Sequence, residues 1–93
     1  MTGLEDLRQA GYLDHIVQAI DQVVEWTTGM AYAAFVANRI VRAAVVRNLE
    51  IVADACAQLL VRFPEFAEQN PDMPLRQVRG MRNRIIDGDF DLR

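Results

Sequence analysis

The chain has 93 residues, with ten arginines, no lysine, thirteen acidic residues and one histidine, for a formal charge of −3. That length suits one domain, 1–93, and the missing lysine excludes Schiff-base chemistry and a phosphate-binding P-loop lysine. With 52% apolar and 25% charged residues the chain is globular rather than disordered, and its mild acidity argues against a generic nucleic-acid coat.

The first periodic stretch carries Leu13, Ile16, Ile20, Val23 and Val24 at spacings of three and four, with Asp14, Gln18, Asp21 and Glu25 between them. This predicts an amphipathic helix about four turns long. Glu5 or Asp6 suits its first turn, Gly11 is a candidate break, and Gly29 is a good stop. His15, the only histidine, lies on this helix. A surface or core role is expected for it, because no second histidine can complete an acid–base pair. Trp26 and Tyr32 flank the following turn as candidate core or interface anchors.

Met30 to Asn38 is Ala-rich and predicts a short linking helix. From Arg39 the longest stripe runs through Val41, Val45, Leu49, Val52, Cys56, Leu59, Leu60 and Phe63, about six turns that Pro64 ends. Cys56 on that stripe reads as an inert buried thiol. As the only cysteine it excludes an internal disulfide and a cysteine-based structural zinc site. Arg47, Glu50 and Asp54 lie three and four apart and predict an intrahelical ion-pair row.

Pro64 to Pro74 predicts a connection with one helical turn over Glu65 to Gln69. Asp72 is a candidate cap for the next helix, with Pro74 in its first turn. Val78, Met81 and Ile85 then form a short stripe ending near Gly88. No window alternates with period two, so the predicted fold is an all-α up-and-down bundle. Neither a secretory signal pattern nor an apolar run of membrane-spanning length is visible, and a cytoplasmic protein without membrane contact is expected.

The chemistry concentrates in Arg76, Arg79, Arg82 and Arg84, four guanidiniums within nine residues. Arg76, Arg79 and Arg82 follow one row of a helix. Such a row is either a solvated face or a phosphate-binding surface, since guanidinium forks grip phosphate oxygens. Asn83 adds an amide beside them. Asp87, Asp89 and Asp91 match the first three ligand positions of a calcium loop, but Leu92 stands where that loop needs glycine, so no metal is expected.

The segment Met73 to Ile86, MPLRQVRGMRNRII, resembles the signature of HepT-like proteins, HEPN-domain toxins with a pattern close to P-W-R-Q-I-x-G-M-R-N-R-L-I-H-G-Y-F. Upstream, Arg42 to Ala55, RAAVVRNLEIVADA, resembles the family's second pattern, D-A-V-x-R-N-L-E-I-I-G-E-A. The two motifs stand in the family's order and separation, and the resemblance covers nearly the whole chain.

The resemblance implies an all-α HEPN bundle, a homodimer and a metal-independent endoribonuclease with no cofactor. It also implies a minimal nucleotidyltransferase (MNT) antitoxin as partner and RNA as substrate. In the family an R-x-x-x-x-H motif from each protomer meets in a shared cleft, and the antitoxin transfers AMP to a tyrosine two residues after the histidine. Histidine would move the proton of the attacking 2′-hydroxyl or leaving oxygen, and arginine would hold the scissile phosphate. Arg82 and Asn83 match that motif, while Arg76, Arg79 and Arg84 would support RNA binding. Asn48, Glu50 and Asp54 would position the arginine.

The match departs from the family at the two positions that carry its chemistry. Asp87 occupies the histidine position and Asp89 the tyrosine position. An ordinary aspartate is ionised at pH 7 and cannot donate a proton as His⁺ can. It also repels the phosphate, by roughly 4 kcal/mol at about 4 Å and an effective dielectric of about 20 before screening. Asp89 has no hydroxyl to take AMP. A catalytically impaired toxin is expected, with a non-catalytic partner-binding helical module as the alternative. Family members continue into a further helix, so the resemblance implies a C-terminal helix missing or shortened here and apolar surface left for a partner or dimer to cover.

Overall fold

The computed structural model describes residues 3–86, with side chains through 81. Among the described residues every regular element is helical: α1 (Gly3–Thr27), α2 (Tyr32–Ala37), α3 (Arg39–Arg62), α4 (Pro64–Gln69) and α5 (Leu75–Ile86). This is the expected all-α bundle of the HEPN type, and no described helix is long and apolar enough to cross a membrane.

Helix α1 runs unbroken through Gly11, where a break was a candidate. Extending an existing helix by one glycine costs only about 1 kcal/mol, and Glu5 and Asp6 favour the positive N-terminal end. Gly29 ends the connection after α1 with φ of 77°, a left-handed conformation that glycine adopts without a Cβ clash. Asn38 serves two helices. Its backbone N–H donates to the Phe35 carbonyl at the end of α2, and its side chain accepts from the Val41 N–H at the start of α3.

Helix α3 is the centre of the bundle, with α1 and α5 each packed along it. The Tyr12 ring meets the Phe63 ring edge-on at 6.3 Å, whereas Asn48 meets Ala19 and Gln22. Residue numbers fall on α3 as they rise on α1, so the two helices are antiparallel. Helix α5 starts beside Leu60 and Leu59 and returns along α3, giving the up-and-down order. Pro64 begins α4 at its first position, where its missing N–H is unneeded. Leu75 is the first residue of α5, so Pro74 precedes the helix rather than entering its first turn. The Leu75 N–H donates to the Met73 carbonyl, and no hydrogen bond from α5 to Asp72 occurs among the described residues.

The core is a cluster of Ala19, Val52, Cys56, Leu59 and Leu75, with Tyr12, Ile16, Phe63 and Val78 packed against it. The α3 surface alternates large Val52 and Leu59 with small Ala53, Ala55 and Cys56, all buried. Small residues at these positions let neighbouring helices approach closely. Trp26 and Tyr32 are 36% and 73% exposed, so neither is a core anchor.

Candidate functional site on the arginine helix

Leu75 is buried in the core, Val78 packs against it and Met81 is half-buried, which turns the remaining face of α5 outward. Arg76 and Arg79 occupy that face and are exposed. Gly80 beside them is exposed too, with room for a Cβ among the described residues. The helix continues through 86, and positions 76, 79 and 82 follow one another at a spacing of three. The backbone therefore places positions 76, 79 and 82 on one i, i+3 row of α5. The side chains of Arg82, Asn83 and Arg84 lie outside the described residues, as do Asp87 and Asp89.

The second motif lies on α3 and turns partly toward α1. Asn48 is 5% exposed, and its amide donates to the Ala19 carbonyl at 3.0 Å and the Gln22 side-chain oxygen at 2.8 Å. Its nitrogen is thus committed to holding α1 on α3. Glu50 and Asp54 line a groove between α1 and α3 together with Arg47, Tyr12, His15 and Gln22. The ion-pair row expected along Arg47, Glu50 and Asp54 does not close among the described residues. All three line the groove instead, and an exposed pair of this kind gains little from a fixed geometry.

His15 is exposed on the α1 side of this groove. Its convergence with Glu50 and Asp54 has no signal in the chain order, because it depends on the antiparallel register of α1 and α3. Cys56 is 3% exposed, and burial pushes its thiol above the ordinary value of 9.0. It is protonated and inaccessible, as a core residue should be. No group of three metal-ligating side chains occurs among the described residues.

On this arrangement α5 can grip a polyanion through Arg76 and Arg79, and α3 supplies the rigid support. Residues 16–92 match the Ribonuclease HepT-like family, which takes in the second half of α1 and all of α2 to α5. A protein of Caldanaerobacter subterraneus subsp. tengcongensis named "Putative RNase" is 33% identical over 75 residues, covering 81% of this chain and 64% of that protein. A "Putative RNase" of Methanocaldococcus jannaschii is 31% identical over 81 residues, covering 87% and 72%. The "Probable ribonuclease HepT" of Thermococcus cleftensis is 29% identical over 79 residues, covering 85% and 69%. The chain spans a little under two thirds of the length of the first of these relatives. No solved structure matches it. With both motifs inside the matched span and the all-α fold in place, the chain belongs to the HepT-like ribonuclease family of HEPN proteins.

Proposed function

We propose that this chain, as one domain over 1–93, is the toxin-type component of a toxin–antitoxin pair. It acts in the cytoplasm as a homodimer that binds RNA, beside an MNT-type nucleotidyltransferase partner, and its cleavage step is impaired. The observation that carries the reading is the family match across residues 16–92, which contains the Arg82 motif with aspartate at positions 87 and 89.

In this reading the exposed Arg76 and Arg79 bind RNA phosphates, with Arg84 extending the row. Arg82 holds the scissile phosphate and Asn83 orients it. Asn48, which holds α1 on α3, positions Arg82 indirectly through α3, the helix on which α5 packs, and Glu50 and Asp54 support it from the same helix. Asp87 stands where an imidazole would take the 2′-hydroxyl proton and return one to the leaving oxygen. A carboxylate ionised at pH 7 has no proton to return and repels the substrate. Asp89 offers no acceptor for AMP, so the partner would act on this chain by binding alone. No metal or cofactor enters the scheme.

The test is a cleavage assay on a labelled single-stranded RNA with four proteins: wild type, Asp87→His, Asp87→His with Asp89→Tyr, and Asp87→His with Arg82→Ala. Wild type should leave the RNA intact and Asp87→His should cut it, with Arg82→Ala abolishing the gain. Cleavage by wild type that depends on Arg82 would overturn the impairment. If both revertants fold, bind no RNA and leave cell growth unaffected, the alternative holds, a non-catalytic partner-binding helical module.

A further inference from the structure

Helix α1 buries one edge and leaves the adjacent one bare. Tyr12, Ile16 and Ala19 belong to the core, whereas Val17, Ile20 and Val24 are 54%, 48% and 56% exposed. With half-buried Leu13 these residues fall at spacings of four, three and four, the repeat of a coiled-coil seam. Helices α1 and α5 pack along α3, and Leu13 packs against the core at one end of the seam, which leaves Val17, Ile20 and Val24 uncovered among the described residues.

Each apolar residue of the seam is followed by a polar one: Asp14, Gln18, Asp21 and Glu25, all exposed. That offset places an acidic row along the outer flank, while Ile16 and Val23 form the inner flank toward the core. The Gln18 amide donates to Asp14 at 2.7 Å, and among the described residues no side chain donates to Asp21 or Glu25.

We propose that the Leu13–Val24 seam of α1 docks one amphipathic helix of a partner protein, whose apolar stripe is flanked by arginine or lysine. Charge complementarity selects this occupant over a second copy of the chain. Antiparallel pairing of two such seams would set Asp14 against Asp21 of the partner subunit at both ends, and like charges at flanking positions oppose pairing. A basic flank turns the same row into attraction, speeds encounter and fixes the register of the docked helix. A neutral flank would cover the valines and Ile20 but leave the carboxylates beside a dry contact without counter-charge.

The test uses the full chain and two labelled helical peptides of about three heptads. Both carry leucine at the seam positions, one with arginine and the other with glutamate at the flanks. Fluorescence anisotropy should show the arginine peptide binding about tenfold or more tighter than the glutamate peptide, with the advantage shrinking at about 0.5 M salt. Amide chemical-shift changes should fall on residues 13–25. The surface variant Asp14→Asn, Asp21→Asn, Glu25→Gln should lose the preference, and Ile20→Glu should lose binding while keeping its helical circular dichroism. Equal affinity for the two peptides, or an unchanged preference in the triple variant, would overturn the proposal. So would sedimentation showing that Ile20→Glu turns a dimer into a monomer, since a second copy would then occupy the seam.

Discussion

Asn48 on α3 donates to the backbone carbonyl of Ala19 on α1 at 3.0 Å, across 29 residues of sequence. The second amide hydrogen goes to Gln22 at 2.8 Å, so one buried side chain clamps two helices. Asn48→Ala should cost about 1–3 kcal/mol by the loss of both bonds at a buried site. Asn48→Asp should cost more at pH 7, because it sets a carboxylate against two oxygens in a nearly dry position. Urea unfolding of the three proteins checks the order.

Leu59 is fully buried at the meeting point of α1, α3 and α5. Leu59→Ala should destabilise by about 2–5 kcal/mol, a large part of the roughly 5–15 kcal/mol available to an ordinary domain. The melting temperature should fall by about 10 °C or more in a scan of circular dichroism. Val61 on the same helix is 74% exposed, and Val61→Ala should change the melting temperature by only a degree or two.

Burial raises the Cys56 thiol above 9.0, which makes its ionisation a measure of unfolding. Below about pH 9 the thiol is protonated in both the folded and the unfolded chain, so it adds no pH dependence. Above that value the unfolded chain releases its proton first, and stability falls as pH rises toward the higher folded pKa. A thiol reagent at pH 8 should therefore label native protein only at the rate of its opening. Addition of denaturant should raise that rate to that of a free thiol.

Arg76 and Arg79 are exposed on one face of α5, and in the proposed function they contact RNA phosphates. Arg76→Ala with Arg79→Ala should weaken binding to single-stranded RNA of any sequence. The slope of log affinity against log salt should become shallower by about 1.4, two phosphate contacts at about 0.7 each. Filter binding between about 50 and 200 mM salt measures both effects. Arg62, whose guanidinium is occupied by Gln58 on α3, serves as the control position.

Much of the fold is legible in the amino-acid sequence alone. The stripe from Val41 to Phe63 and the stop at Pro64 predict α3 almost to the residue, since period and proline act within a few residues of chain. Gly11 and Asp72 show the limit of such local signals. A helix propagating from both sides of a single glycine continues through it, and a capping aspartate has no role where the first helical N–H is already bonded to the Met73 carbonyl. The exposure of Trp26 and Tyr32 was equally out of reach, because an aromatic ring reads the same whether a neighbour covers it or not.

The candidate site divides along the same line. The sequence by itself determined the family, the arginine row at 76, 79 and 82, and the aspartates at 87 and 89, because chemical identity and helical spacing are properties of neighbouring residues. Only the tertiary structure decided that Asn48 binds α1 and that His15 shares a groove with Glu50 and Asp54. It also decided that Val17, Ile20 and Val24 stay bare while Ala19 between them is buried. Those outcomes depend on the antiparallel register of helices separated by dozens of residues. That register follows from the packing of all three long helices at once, and no single stretch of the chain contains it.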